Sequence, residues 1–256
     1  MSEFVWETFT PRQNKTFGIN VWGPPKLGKS RLCMTCPKPL FYVNADQPID
    51  HLVEQMGKAN EEIKYVDFNL PVDIDLNQGV AMAMVNKLEE ISKAAIREGQ
   101  GTLVWDGASS IWETWTTAMV PEDAETLAQK YVAANARMKT LLKKINVSGV
   151  NFIMTNQARD VWSGRSKKEE GVYKAAGFNS NGHYTQWILQ AVSDTRMTAN
   201  GMENRMGVVI ERNAYDKTLN GRTMWDPTFE KLKVLSFPKD YPKEWIKVYT
   251  DLMVQA

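Results

Sequence analysis

The run Gly23-Pro-Pro-Lys-Leu-Gly28-Lys29-Ser30 constrains this chain more than any other stretch. It fits the pattern G-x4-G-K-[S/T] in full, and its flanks are the ones the pattern requires. Before it, Phe17-Gly-Ile-Asn-Val-Trp22 is an apolar run of strand length; after it, Lys29 to Thr35 reads as a helix ended by Pro37 and Pro39. A strand that turns through a glycine-rich loop into a helix aims backbone N–H groups and the positive helix end at one point, where phosphate oxygens are attracted. On this reading Gly23, Pro24, Pro25, Lys26, Leu27, Gly28, Lys29, Ser30 and Arg31 surround the phosphates of ATP. Lys29 neutralises charge on the β- and γ-phosphates and the Ser30 hydroxyl binds Mg²⁺. Pro24 and Pro25 have no N–H, so the cradle relies on the later residues of the loop.

The rest of the chain repeats the strand–helix alternation. Leu40 to Val43, Ile63 to Phe68, Gly101 to Asp106 and Val150 to Thr155 read as strands. One helix carries Met84, Leu88, Ile91 and Ala95 on a face; another has Pro121 near its start and a stripe of Leu127, Tyr131, Ala134, Met138, Leu142 and Ile145. Such alternation implies an α/β fold with a mainly parallel central sheet flanked by helices. Phe4 to Thr10 reads as a short extended piece, and Arg159 to Tyr184 has no period and is expected to be a loop. Gln186 to Thr195 and Met206 to Ala214 read as an antiparallel hairpin turning near Asn200-Gly201, and Pro242 to Val254 as an outer helix.

Composition narrows the functional classes. The formal net charge is +1, which excludes a polycation or an acidic tail, so any nucleic-acid surface is a local patch. No apolar stretch is long enough for a membrane-spanning helix, and Met1 to Thr10 has no signal-peptide character. Two cysteines fit a reducing cytoplasm. The expectation is one domain over 1–256, with a core at about 17–215, a short extension at 1–16 and a second at 216–256. Cys33 and Cys36 have no second pair at zinc-site spacing and are assigned to packing; His51 and His183 stand alone and receive no catalytic role.

Three polar strand ends are candidates for chemistry. Asp106 closes Leu103-Val-Trp-Asp, where a carboxylate holds the Mg²⁺ shell. Asp46, past the strand Leu40 to Val43, is placed to orient an attacking water, with Asp50 as its rival. Gln157 ends the strand after Asp106, where an amide senses the γ-phosphate and passes its state to the following segment. In that segment Arg159, Arg165, Lys167, Lys168 and Lys174 are interleaved with Trp162, Tyr173, Phe178 and Tyr184. Cations that track phosphates and aromatics that stack on bases suit sequence-tolerant binding of single-stranded DNA.

In order and wording these motifs resemble the ATPase core of RecA/RadA-type recombinases. The resemblance runs from Gly23–Ser30 through Phe41-Tyr-Val-Asn-Ala-Asp46-Gln-Pro-Ile-Asp50 and Leu103-Val-Trp-Asp106-Gly-Ala-Ser-Ser110. It continues in Ala136-Arg-Met-Lys-Thr-Leu-Leu142 and Asn151-Phe-Ile-Met-Thr-Asn-Gln157. It implies a RecA-like P-loop NTPase core with a C-terminal antiparallel hairpin. It also implies catalytic roles for Lys29, Asp46 (where the family has Glu) and Gln157, and Mg²⁺ held by Ser30 and Asp106. Arg212 falls where the family supplies a cation to a neighbour's nucleotide. Only a short segment precedes the first core strand, which is similar to the compact RecA-like proteins of bacteriophages that act in annealing and recombination. The implied activity is a DNA-stimulated ATPase, slow if the shorter Asp46 is less effective. The implied assembly is a filament or ring on single-stranded DNA, with nucleotide at subunit interfaces and a single-strand-binding or recombination protein as partner. The implied location is cytoplasmic, the host's if the chain is viral. Alternatives are a translocase or helicase-like motor, or a weakly hydrolysing nucleotide-gated scaffold.

Overall fold

A computed structural model describes residues 16–55, 62–71, 73–120, 127–163, 167–198, 201–251 and 253–255. The expected segment Phe4 to Thr10, together with Pro121 and Asn200, lies outside the described residues. The chain runs β1 (Gly18–Gly23), α1 (Lys29–Met34), β2 (Leu40–Asn44), α2 (Asp50–Gln55), β3 (Ile63–Asp67), α3 (Gln78–Glu98), β4 (Thr102–Asp106), α4 (Ala108–Met119) and α5 (Leu127–Val147). It continues with β5 (Asn151–Ser163), β6 (Lys167–Ala175), α6 (Asn181–Tyr184), β7 (Trp187–Thr198), β8 (Gly201–Asn213), β9 (Arg222–Trp225), α7 (Phe229–Ser236), α8 (Lys243–Asp251) and β10 (Val254–Gln255).

The strands order as β10-β9-β8-β7-β1-β5-β4-β2-β3, with β6 paired to β5 alone. From β3 to β7 every pairing is parallel; β7, β8, β9 and β10 are antiparallel. This is the α/β fold expected from the alternating pattern, with the β7–β8 hairpin attached at one side.

The central strands are buried on both faces, which is why they read as continuous apolar runs. On one face Ile19, Val21, Tyr42, Val104, Ile153 and Leu189 pack against Leu32 and Cys33 of α1 and Phe229 and Leu232 of α7. On the other, Phe41, Val43, Trp105, Phe152 and Met154 pack against α3, α4 and α5 through Leu88, Ile111, Trp115, Met138 and Leu142. Side-chain alternation along β4 explains the adjacent Trp105 and Asp106: the indole enters the α3–α5 core, edge-on to Phe152 at 5.0 Å, and the carboxylate points to the α1 side. The stripe expected on α5 is present at Ala134, Met138, Leu142 and Ile145, whereas Tyr131 is exposed and stacks beside Trp112.

One expectation fails. Arg159 to Tyr184 is not a loop: β5 runs on to Ser163 and pairs antiparallel with β6, and α6 follows. The hairpin stands off the sheet and does not pair with the main layer beyond β5, so Arg159, Tyr173 and Lys174 stay exposed and no apolar alternation is needed to bury a face. A register shift between Asp160 and Trp162 breaks what period remained. The β7–β8 hairpin is longer than expected for the same reason, since its described outer residues, Asp194 to Met197 and Gly201 to Asn204, are solvent-exposed on both strands.

Candidate functional site

The loop after β1 and the ends of β2, β4 and β5 meet at one edge of the sheet. Gly28 caps α1 with φ 80, in the left-handed region, and a Cβ there would stand 2.7 Å from Met206 Sδ. Only glycine lets the loop lie this close to β8 while turning into the helix. Pro25, Lys26, Gly28, Lys29, Ser30 and Arg31 line a pocket of about 300 Å³, and Asp46 forms part of its opposite wall. Lys29 is buried and its ammonium donates to the carbonyls of Gly23 at 3.0 Å and Pro24 at 2.7 Å. Burial lowers its pKa, and Asp46 and Asp106 oppose that shift.

Asp106 is fully buried at the end of β4. Its Oδ2 accepts from the Tyr42 hydroxyl at 2.5 Å and its Oδ1 from the Thr155 hydroxyl at 2.5 Å. Thr155 Oγ1 in turn accepts from the Gly107 N–H at 2.9 Å, so the carboxylate is held by hydroxyls from two strands, β2 and β5. Gly107 turns the chain into α4 with φ 89, and a Cβ there would meet the Ala45 backbone at 2.7 Å. Tyr42 is held as a neutral phenol by burial first and by Asp106 second.

Asp46 rather than Asp50 faces the loop. Asp46 lies in the pocket wall, its N–H donating to Asn44 Oδ1 at 3.4 Å and its carbonyl accepting from Asn69 at 2.9 Å. Asp50 is exposed at the start of α2 and lines a different depression with Glu54 and Tyr65. Burial raises the Asp46 pKa, Asp106 raises it further, and Lys29 pulls it down. The donors are thus a hydroxyl and two carboxylates, hard oxygen ligands of the kind Mg²⁺ takes. Ser30 and Asp106 would hold the ion, supplying charge neutralisation at the phosphates.

Gln157 ends the buried part of β5 in register with Gly23. Its N–H donates to Ser109 Oγ at 3.0 Å and its side chain is exposed beside the loop, outside the pocket wall.

A second pocket, of about 370 Å³, lies on the sheet face that α3–α5 leave open beside β1. Asn20, Trp22 and Ile188 form its floor, and Arg159, Tyr173, Lys174, His183, Glu211 and Arg212 surround it. Arg159 bonds Asn179 at 2.7 Å, the Arg212 guanidinium bonds the Gly182 carbonyl, and the Trp22 indole donates to Glu211 at 2.9 Å. Burial raises the Glu211 pKa, which the Trp22 bond partly offsets. Arg212 stands opposite Ile188, which pairs with Asn20, so it is displaced toward the start of β1 and away from this chain's own loop. Within this chain it shares the second pocket with Arg159 and Lys174. Sequence reasoning missed Trp22, His183 and Glu211 here. The one available signal was a Trp beside the motif on a strand whose alternate residues are aliphatic. Arg165 lies outside the described residues, as do the side chains of Trp162, Lys167 and Lys168.

Among the described residues no cluster of His, Cys, Asp and Glu could hold a metal by itself, and no helix is long and apolar enough to cross a membrane. Cys33 and Cys36 are buried.

The topology and the loop define the class: an α/β fold with a mainly parallel sheet and a G-x4-G-K-S loop, with β5 inserted between the loop strand β1 and the strand β4 that ends in Asp106. No family model and no curated protein matches the sequence. Among solved structures the chain is similar to a KaiC-like protein from the hyperthermophilic archaeon Pyrococcus horikoshii, at 14% identity over 77% of this chain and 79% of that one, TM-score 0.39. It is also similar to the flagellar accessory protein FlaH from Methanocaldococcus jannaschii, at 11% identity over 81% and 84%, TM-score 0.42.

Proposed function

We propose that the chain binds and hydrolyses ATP with Mg²⁺ at the loop pocket and couples that site to single-stranded DNA, as an annealing or recombination protein. The observation that supports this reading is the meeting of Arg159, Lys174 and Arg212 on one pocket floored by β1, the strand that ends in the phosphate loop. Three cations with the exposed Tyr173 ring suit phosphates and an unstacked base, and three separate elements supply the cations. At the loop, Lys29 exchanges its two carbonyl partners for phosphate oxygens. Asp46 accepts the proton of the attacking water, and Gln157 stands where the state of the terminal phosphate passes into β5. Copies of the chain assemble side by side on the strand, so that Arg159, Lys174 and Arg212 of successive subunits follow the DNA backbone.

The test is ATP hydrolysis by wild type and Lys29→Ala, with and without single-stranded DNA, at low and moderate salt. DNA stimulation that vanishes in Lys29→Ala is expected. In a binding titration, Arg159→Ala/Lys174→Ala/Arg212→Ala flattens the salt dependence of DNA affinity by about 2 log units per log unit of salt, three phosphate contacts' worth. An unchanged salt slope would take the pocket out of the DNA surface. Unstimulated hydrolysis with intact nucleotide binding would point to a nucleotide-gated scaffold.

A further inference from the structure

We propose that the second pocket seats one base of the DNA strand, with Glu211 reading the N–H edge of guanine while Arg159 and Lys174 hold a neighbouring phosphate. This deepens the DNA reading above and rests on it. A β-bulge builds the site. Val208 and Ile210 of β8 lie in the core on the α1 side, so strict alternation would send Glu211 to the open face and Arg212 back into that core. The register shifts here instead. Ile188 pairs with Arg212 and Leu189 with Ile210, which leaves Glu211 as the extra residue. The neighbours Glu211 and Arg212 therefore both line the pocket.

The polar groups of the pocket divide by the partner each requires. Arg159 and Lys174 stand directly opposite each other on β5 and β6, and among the described residues neither has an ion-pair partner. Like charges so placed destabilise a hairpin unless an anion joins them, and a phosphate is such an anion. Glu211 requires donors. Its Oε2 accepts from the Trp22 indole at 2.9 Å, and among the described residues no donor reaches Oε1. A carboxylate has about four lone-pair sites, so most of its accepting capacity is open. In a pocket that took phosphate alone this charge would only repel the ligand, and a neutral acceptor would serve the Trp22 N–H as well. Asn20, on the floor, has its Oδ1 taken by Asn156 at 2.7 Å, so what it has left to give a ligand is an amide donor. A carboxylate and an amide donor on one pocket match a base edge that carries adjacent N–H groups next to a carbonyl. Guanine alone among the DNA bases has that edge, in its 2-amino group, N1–H and O6; thymine, adenine and cytosine each offer N–H at a single position. The Tyr173 ring, half exposed at the rim, is available for stacking. At about 370 Å³ the cavity is at the small end of ligand pockets, the size for one base rather than a stretch of strand.

The experiment is fluorescence anisotropy of the full chain with labelled single-stranded oligonucleotides of equal length at one salt concentration. One is thymidine throughout, one a T-T-G repeat, and one the same repeat with inosine, which lacks only the 2-amino group of guanine. Wild type is expected to bind the guanine oligonucleotide about tenfold more tightly than the thymidine one, the scale of a bidentate base contact, and inosine to lose most of that gain. Glu211→Gln keeps an acceptor for Trp22 but cannot accept on both side-chain atoms. Its guanine preference should fall below about twofold, with affinity for the thymidine oligonucleotide equal to or above wild type, because a charge that repels phosphate is gone. Arg159→Ala/Lys174→Ala should weaken all three by one common factor and leave the preference as it was, since phosphate contacts carry no sequence information. Equal wild-type affinity for the three oligonucleotides overturns the proposal, as does a guanine preference that survives Glu211→Gln. If Glu211→Gln does not fold, the inosine comparison still decides in wild type: inosine bound as tightly as guanine overturns the proposal. Failure of the wild-type chain to bind any of the three would instead remove the DNA reading, and this inference with it.

Discussion

Asp46 shows how much a single side chain in this site is shaped by its neighbours. It shares the loop pocket with Lys29 and lies close enough to buried Asp106 to feel its charge. Burial and Asp106 hold its pKa above the ordinary 3.8, against the pull of Lys29. The native chain therefore keeps the proton to higher pH than the unfolded chain does. Stability attributable to this group falls as pH rises from about 3.8 through the native value, and above that value the whole cost of the buried charge is present. Asp46→Asn removes the cost, so the variant is expected to be more stable than wild type at neutral pH and to lose the acid-side slope, as thermal unfolding across pH would show. Under the proposed function the same substitution removes the proposed general base and is expected to slow ATP hydrolysis by about 10²–10⁴-fold, with nucleotide affinity retained. In wild type the acid limb of the rate profile should lie above 3.8 for the same electrostatic reason. A less stable, fully active Asp46→Asn would show the carboxylate to be a structural group of the β2 end.

Between elements, packing decides what a sequence can announce. The parallel strands and the helix stripes were legible because burial leaves a pattern: β1, β2 and β4 are buried throughout and mostly apolar, and α3 buries Ala81, Val85, Leu88 and Ala95 at helical spacing. The loop pocket was legible as well, since one wall of it, within Pro25 to Arg31, comes from one contiguous run of residues. The β5–β6 hairpin was not, because Arg159, Tyr173 and Lys174 are exposed and its register shifts near Asp160, so it carries no clear apolar alternation. Nor was the second pocket, which draws on β1, β5, β6, α6 and β8 and exists only after the fold is made. One tie between elements was equally invisible. Arg137 on α5 reaches Glu89 at 2.6 Å and Asn86 at 2.8 Å on α3, and its guanidinium lies 5.8 Å from the Trp115 ring on α4. Exposed pairs such as Lys64–Glu98 contribute little, but this one is mostly shielded and joins three helices. Arg137→Ala is expected to lower stability by about 2 kcal/mol, seen as a fall of roughly 6 °C in Tm by calorimetry. Nucleotide affinity should be unchanged, because the three helices meet away from the loop.

At the scale of the whole molecule, one strand links the two pockets: β1 floors the second pocket and ends at the loop that lines the first. Ile19 and Val21 of β1 face α1, Asn20 and Trp22 floor the second pocket, and the next residue, Gly23, opens the phosphate loop. Side-chain bonds join the two as well. Asn156 donates to Asn20 at 2.7 Å and accepts from Ser109 at 3.3 Å, and Ser109 Oγ accepts the Gln157 N–H at 3.0 Å. Gln157 stands in register with Gly23, and Ser109 lies in the first turn of α4, just past Asp106 and Gly107. A strand buried on both faces cannot shift at one end and stay fixed at the other, so a ligand that tightens the loop biases the floor of the far pocket. If the pockets hold ATP and DNA, linkage then requires one coupling factor in both directions: nucleotide tightens DNA as many-fold as DNA tightens nucleotide, within about 5–150-fold for ordinary allosteric pairs. Ser109→Ala breaks the bridge between Asn156 and Gln157 while leaving Lys29, Asp106 and the three pocket cations in place. It is expected to bring the factor several-fold closer to one, with each ligand's affinity measured alone kept within about threefold. Anisotropy of a labelled oligonucleotide with and without a non-hydrolysable ATP analogue gives one side of the cycle, and analogue binding with and without DNA gives the other. Equal factors that survive Ser109→Ala would mean that the β1 backbone itself, and not the Asn20–Asn156–Ser109 chain, carries the coupling.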